Sequence, residues 1–99
     1  MTLAIDFDGV IHDFKNPIAG RRMGAPIEGT KQALDELESK GCKIIVFSVW
    51  GDQPEVITDY MNFYELPFHE ITNIKPLADY YIDDNAIRFT NWADILKQI

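Results

Sequence analysis

The chain has 99 residues, of which 46% are hydrophobic, which is enough apolar material for one domain and too little length for a second. Its formal charge of −7 argues against a general binder of nucleic acid or of anionic membranes, because such proteins carry a basic face. The single cysteine, Cys42, excludes an internal disulfide, and the lack of a signal-peptide pattern or a long apolar run predicts one cytoplasmic domain over residues 1–99.

The first predicted element is a strand from Thr2 to Phe7, in which apolar residues alternate with smaller or polar ones. Asp8-Gly9 ends this strand, because that dipeptide is a turn signal. Two prolines and two glycines lie between residues 17 and 26, so residues 11–28 are predicted to form an irregular loop.

The middle of the chain alternates helix, strand and helix. A helix is predicted from Gly29-Thr30 to a glycine cap at Gly41, followed by the apolar strand Lys43–Phe47, typical of a strand covered on both faces. A second helix is predicted to begin near Asp52, with Glu55 completing a capping box. Its apolar stripe consists of Val56, Ile57, Tyr60, Met61 and Tyr64.

The last third contains short elements. Strands are predicted at His69–Thr72 and Tyr80–Ile82, and an extended piece at Ile87–Phe89 precedes a final helix capped by Asn91. Strands that alternate with helices of about ten residues favour a mostly parallel α/β sheet, and ligands bind such sheets at the carboxyl ends of the strands.

Polar residues occur at these strand ends. Asp6 and Asp8 lie where the first strand breaks, so both carboxylates can face one small volume. Their mutual repulsion would be removed by Mg²⁺, which prefers one or two carboxylates together with phosphate oxygens and water. Such a site supplies a carboxylate nucleophile and an acid/base group for phosphoryl transfer, although a solvated turn with two acids is the simpler alternative.

Two further candidates are single residues. Ser48 follows the second strand, where its hydroxyl and the backbone amide of Val49 can donate to a phosphoryl oxygen; the alternative is an ordinary loop serine. Lys75 precedes a proline and can balance a nucleophilic carboxylate and hold the transferring group; the alternative is a surface lysine.

Asp83-Asp84 completes the pattern. Two adjacent carboxylates at a strand end are electrostatically unfavourable without a cation, although a capping or turn pair would also account for them. The order in the chain, DxDGV, then a strand-end serine, then lysine, then an acidic pair, makes a shared site the stronger interpretation.

These residues resemble the four motifs of the haloacid dehalogenase-like (HAD) hydrolase superfamily, and the resemblance extends over nearly the whole chain. It implies a Rossmannoid three-layer sandwich in which Asp6 attacks phosphorus and forms an aspartyl-phosphate, while Asp8 protonates the leaving group and then activates water. It implies that Ser48 and Lys75 hold the phosphoryl oxygens. Phosphatases of the superfamily have an aspartate two positions after the nucleophile, whereas dehalogenases differ at that position. With Asp8 there, this chain resembles the phosphatases.

The resemblance also implies a magnesium cofactor. Its ligands would be the Asp6 carboxylate, the Asp8 main-chain carbonyl and a carboxylate of the Asp83-Asp84 pair, with Asp84 favoured as the direct ligand. The backbone of Gly9, in the nucleophile loop, is a further candidate contact for the substrate.

The gaps that hold cap domains in many HAD relatives are short in this chain. Neither the segment between Gly9 and Gly29 nor that between Ser48 and Lys75 has room for one. An open site is therefore expected, and it favours a bulky or macromolecular phosphoester, or a site completed by a neighbouring subunit or by the loop at residues 11–28. Arg21 and Arg22 are candidates for phosphate recognition, because the guanidinium group binds phosphate through two parallel hydrogen bonds.

Other residues have weaker claims. His12 follows the nucleophile loop closely enough to border the pocket, and Trp50 is a candidate pocket wall. His69 is expected to be structural and Trp92 to pack the last helix.

Three alternatives to a phosphate monoester hydrolase remain from the sequence. A nucleic-acid end phosphatase would suit an open site, although the charge of −7 argues mildly against it. A receiver-type signalling domain uses similar residues in a different order along the chain. A catalytically weak binding module would keep the fold with negligible turnover.

Overall fold

The computed structural model describes residues 1–17, 23–48, 54–74, 76–83 and 91–98. The elements within these residues are, in chain order, β1 (Thr2–Asp6), β2 (His12–Pro17), β3 (Gly24–Pro26), α1 (Thr30–Ser39), β4 (Lys43–Phe47), α2 (Pro54–Phe63), β5 (Glu70–Thr72), β6 (Tyr80–Ile82) and α3 (Trp92–Gln98).

The main sheet has four parallel strands in the order β5-β4-β1-β6. β1 lies between β4 and β6, and its residues Leu3, Ala4 and Ile5 are completely buried. Both faces of β1 are covered, as is usual for an inner strand of a parallel sheet. The predicted α/β class with a mostly parallel sheet is confirmed, and the domain is a small Rossmann-like one.

The helices bury the apolar faces that their sequences predict, with one exception. α1 buries Ala33, Leu34 and Leu37 in the core. α2 buries Ile57, Tyr60 and Met61, but Val56 is 42% exposed, so its assignment to the apolar stripe is wrong. Cys42 joins the core as a buried thiol, as expected for an isolated cysteine. No described helix has the length and apolar character that a membrane crossing requires.

Helix ends follow the local sequence signals where they are described. Gly41 has a φ of +84° and follows α1, where the Cys42 N–H donates to the Leu37 carbonyl at 3.1 Å and satisfies it. Asn91 caps α3, because its Oδ1 accepts the backbone N–H of Asp94 at 2.9 Å. The capping residue predicted for α2, Asp52, lies outside the described residues.

The segment predicted to be an irregular loop contains a two-stranded ribbon. β2 and β3 pair in antiparallel fashion, with His12 opposite Pro26 and Pro17 opposite Gly24, and the register shifts between these two pairs. A two-stranded ribbon tolerates proline because each strand has an outer edge where a backbone N–H is not required. The prediction of a loop over residues 11–28 was therefore wrong for β2 and β3.

Candidate functional site

The carboxyl edge of the sheet brings together polar residues that are distant in sequence. Asp6 is the last residue of β1 and pairs with Phe47, so Ser48 comes next on the neighbouring strand. On the other side, Ile5 pairs with Ile82, which places Asp83 beside Asp6 in the extended register. The predicted convergence of Asp6, Ser48 and Asp83 is therefore present. Six other candidate site residues lie outside the described residues: Arg21, Arg22, Val49, Trp50, Lys75 and Asp84.

Asp6 has an unfavourable electrostatic environment. Burial raises the pKa of Asp6 from an ordinary value of 3.8 to about 6, and the charges of Asp8 and Asp83 act in the same direction. The backbone amides of Asp8 and Phe7 oppose this rise in the pKa of Asp6 and offset only part of it. Asp6 Oδ1 is buried and has no hydrogen-bond partner among the described residues, which is uncommon for a buried carboxylate oxygen.

Two described side chains contact Asp8, one at each carboxylate oxygen. The Ser48 hydroxyl donates to Asp8 Oδ2 at 2.8 Å, and His12 Nε2 lies 2.6 Å from Asp8 Oδ1. Ser48 and His12 are both completely buried. The Asp8 carboxylate is therefore fixed in orientation by two elements, the end of β4 and the start of β2.

Gly9 and Ser48, which are predicted to contact the substrate, each donate a hydrogen bond to another residue of the protein. The Gly9 N–H donates to the His12 carbonyl at 3.0 Å and closes the turn after β1, where Gly9 has a φ of +79°. The Ser48 hydroxyl points to Asp8, so a hydrogen bond from it to a phosphoryl oxygen would require that hydroxyl to turn. The substrate roles of Gly9 and Ser48 stay predictions.

The donor set suits a hard divalent cation. Carboxylate and carbonyl oxygens are what Mg²⁺ prefers, and Asp6 Oδ1, buried and without a partner in the part of the chain that the structure describes, is an atom that a cation would satisfy. Within the described part of the chain, no group of three or more His, Cys, Asp or Glu side chains is arranged to hold a metal ion. Asp84, the favoured carboxylate ligand, is not among these residues, so the predicted ligands that the structure describes are Asp6, Asp83 and the Asp8 carbonyl, and the magnesium site stays a prediction.

Two histidines have different roles. His69 is structural, as expected, because its Nδ1 accepts the backbone N–H of Ile44 at 2.9 Å. His12 has a larger part than its sequence position alone suggested, because it contacts Asp8 directly. The signal that points to it is local: His12 follows Asp8 by four residues, and the Gly9 turn folds the chain back over that distance.

A surface groove of about 520 Å³ lies between α1 and α3, lined among others by Glu28, Gln32, Glu36, Trp92 and Leu96. None of the predicted catalytic residues that the structure describes, Asp6, Asp8 and Ser48, lines it. The carboxyl edge of the sheet, where Asp6, Asp8 and Ser48 lie, is therefore the better candidate for a site of chemistry.

No family model matches the chain, and no curated protein matches it. Two solved structures are similar. A conserved protein from Bacteroides thetaiotaomicron has a TM-score of 0.75 at 23% identity, covering 99% of this chain and 88% of its own. A protein from Vibrio cholerae has a TM-score of 0.63 at 21% identity, covering 97% and 94% respectively. These likenesses support the fold.

Proposed function

We propose that this protein is a magnesium-dependent phosphate monoester hydrolase of the capless HAD-like type, with Asp6 as the nucleophile. The observation that carries the proposal is the state of Asp6. It ends β1, an inner strand of the sheet, lies near two further carboxylates and has a buried oxygen without a hydrogen-bond partner among the described residues. Such an arrangement costs stability, and perturbed carboxylates of this kind cluster at functional sites.

The protonation state of Asp6 suits a nucleophile. With a pKa raised to about 6, the Asp6 carboxyl is mostly ionised at pH 7 and more basic than an ordinary aspartate. Its carboxylate oxygen would attack phosphorus, forming an O–P bond as the bond from phosphorus to the leaving oxygen breaks.

Asp8 is the proposed proton carrier. It would donate a proton to the leaving oxygen in the first step and remove a proton from the attacking water in the second. That water breaks the aspartyl-phosphate, which releases inorganic phosphate and regenerates the Asp6 carboxylate. The contacts of Asp8 with Ser48 and His12 support this role, because a proton carrier must be held in a defined orientation.

The cation would be held by the Asp6 carboxylate, the Asp8 main-chain carbonyl and a carboxylate of Asp83 or Asp84. When bound, it would neutralise charge on the phosphoryl group and reduce the repulsion among the carboxylates. Lys75 is proposed to hold a phosphoryl oxygen, and Ser48 would hold another once its hydroxyl, which donates to Asp8 in this structure, turns to the substrate. The substrate class is a phosphate monoester, and an open site favours one that is bulky.

The direct test is hydrolysis of p-nitrophenyl phosphate and a panel of phosphate monoesters, measured with Mg²⁺ and with excess EDTA. We expect Mg²⁺-dependent release of phosphate from the wild type and a loss of at least about 10⁴-fold in kcat for Asp6→Asn. Asp79→Asn is the matched control, since it removes a carboxylate from the opposite end of the sheet. Equal rates for wild type and Asp6→Asn on every ester would overturn the proposal.

A further inference from the structure

We propose that His12 is a positioning residue that orients the Asp8 carboxylate for proton transfer, and that the β2–β3 ribbon holds the imidazole in the tautomer this requires. The inference rests on the proposed hydrolase function for its catalytic meaning. The hydrogen bonds that carry it are independent of that function.

The backbone places His12 against Asp8. Gly9 turns the chain after β1, and its N–H donates to the His12 carbonyl at 3.0 Å, so the side chains of residues 8 and 12 face each other. The imidazole is completely buried, with its ring centre 4.6 Å from that of Phe7. Packing therefore limits the ring to this position.

The hydrogen bond at the other ring nitrogen, Nδ1, determines which tautomer His12 adopts. The Gly24 backbone N–H points at His12 Nδ1 at 3.3 Å, and an N–H can donate only to a nitrogen that carries no proton. The imidazole proton consequently lies on Nε2. From there it is donated to Asp8 Oδ1 at 2.6 Å.

The ribbon is itself tied to the core. The Tyr60 hydroxyl donates to the Gly24 carbonyl at 2.7 Å, so the residue that fixes the His12 tautomer is fixed by α2. A continuous series of hydrogen bonds thus runs from Tyr60 through Gly24 and His12 to Asp8. Ser48 donates to the second oxygen of Asp8 at 2.8 Å, and rotation of the carboxylate would break both contacts.

Two substitutions of His12 separate its two hydrogen bonds. The glutamine amide reaches the position of Nε2, so His12→Gln keeps a donor to Asp8 and loses the acceptor for Gly24. The shorter asparagine places its carbonyl near the position of Nδ1, so His12→Asn keeps the acceptor for Gly24 and loses the donor to Asp8. His12→Met removes both.

His69→Met is the matched control. His69 Nδ1 also accepts a backbone N–H, from Ile44 at 2.9 Å, so this change leaves a comparable backbone group without its acceptor, away from Asp8. A loss of activity caused only by a lost structural hydrogen bond would appear in both methionine variants.

The measurement is kcat and KM for hydrolysis of p-nitrophenyl phosphate with Mg²⁺, on variants whose folding is verified by thermal denaturation. We expect kcat to fall by up to about 100-fold in His12→Asn and His12→Met with little change in KM, because a misplaced reacting group costs about that much. His12→Gln should recover most of the rate, and His69→Met should retain the wild-type rate. Equal kcat in His12→Gln and His12→Asn, or the reverse order, would overturn the inference.

Nitrogen-15 NMR of the imidazoles tests the geometry without activity. We expect His12 to show a protonated Nε2 and an unprotonated Nδ1, with the Nε2 resonance moving in Asp8→Asn while the His69 resonances do not. A proton on His12 Nδ1 would overturn the inference even in an active enzyme. A wild type with the expected tautomer and no Mg²⁺-dependent hydrolysis would instead overturn the proposed function and, with it, the catalytic role of His12.

Discussion

The carboxylates at the two ends of the parallel sheet have different surroundings. At the amino end, Asp79 Oδ2 accepts the Thr2 N–H at 2.6 Å, and the Asp79 N–H donates to the Thr2 carbonyl at 2.9 Å. Beside it, Lys43 and Glu70 form an ion pair at 2.9 Å between neighbouring strands. Each carboxylate here meets a donor and ties one segment to another.

At the carboxyl end, Asp8 also meets donors, but here three carboxylates lie near one another. Asp6 is influenced by the charges of Asp8 and Asp83, and its Oδ1 is buried without a hydrogen-bond partner among the described residues. A sequence optimised only for stability would not place three acids there. The amino end therefore serves the fold, whereas the carboxyl end has the unfavourable charge arrangement from which the proposed cation and substrate binding was argued.

The largest expected effect of a single change at the carboxyl end, apart from loss of the nucleophile, is on proton transfer. Asp8→Asn should lower kcat by about 10²- to 10⁴-fold, the usual contribution of a positioned acid or base. The asparagine keeps the shape of Asp8, so steady-state kinetics beside a thermal melt will separate chemistry from folding. Asp79→Asn, the same chemical change at the other end, should leave kcat unaltered; a comparable loss there would remove the functional distinction between the two ends.

Magnesium should stabilise the protein through the carboxyl end. A ligand that binds only the folded state at 100 times its Kd adds about 2.7 kcal/mol, which for a domain of this size raises Tm by on the order of 10 °C. The measurement is Tm against Mg²⁺ concentration, with NaCl at matched ionic strength as the control for screening. Asp6→Asn and Asp83→Asn should lose most of the increase, whereas Asp79→Asn should retain it. An unchanged wild-type Tm at millimolar Mg²⁺ would argue against a metal at this site.

Local patterns in the sequence predicted much of the main sheet. The boundaries of Lys43–Phe47 and Tyr80–Ile82 match the structure, because short apolar runs between turn signals are specified by residues close in sequence. The convergence of Asp6, Ser48 and Asp83 was also predictable, since parallel strands end at the same edge of a sheet.

The β2–β3 ribbon could not be predicted in this way. Pro17, Gly24 and Pro26 have the composition of a loop, and their pairing depends on the Gly9 turn and on contacts such as Tyr60 with Gly24, far apart in sequence. The role of His12 was undervalued for the same reason. Its spacing from Asp8 is visible in the sequence, but its tautomer is set by Gly24 across the ribbon.

Without a metal, the ionised Asp6 carboxylate at the carboxyl end should lower the free energy of unfolding, and the size of this loss should depend on pH. The pKa of Asp6 is raised from 3.8 to about 6, so between these values the folded state binds more protons than the unfolded state. The contribution of the Asp6 carboxyl to the free energy of unfolding is therefore lost as pH rises from 3.8 to about 6. The shift corresponds to about 3 kcal/mol in a dry site and, because Asp6 is partly exposed, to about 1 kcal/mol after screening by water.

Asp6→Asn consequently should raise the free energy of unfolding by about 1 kcal/mol at pH 7 in EDTA, with the difference from wild type vanishing near pH 4. Urea denaturation at several pH values measures it. A difference that is constant across pH would mean that burial and the neighbouring carboxylates do not act on the Asp6 charge.

The smallest expected effect is a change in the free energy of unfolding at the amino end of the sheet, with a sign opposite to that expected for Asp6→Asn. Asp79→Asn leaves an acceptor for the Thr2 N–H but removes the charge that strengthens this hydrogen bond, so it should lower the free energy of unfolding by about 0.5 kcal/mol, given that Asp79 is exposed. Urea denaturation at pH 7 in EDTA, in parallel with Asp6→Asn, makes the comparison direct. The same change from aspartate to asparagine should therefore stabilise one end of the sheet and destabilise the other. If both variants lose stability, the carboxylate at the end of β1 is a structural group like its counterpart, and the physical argument for a cation at that edge fails.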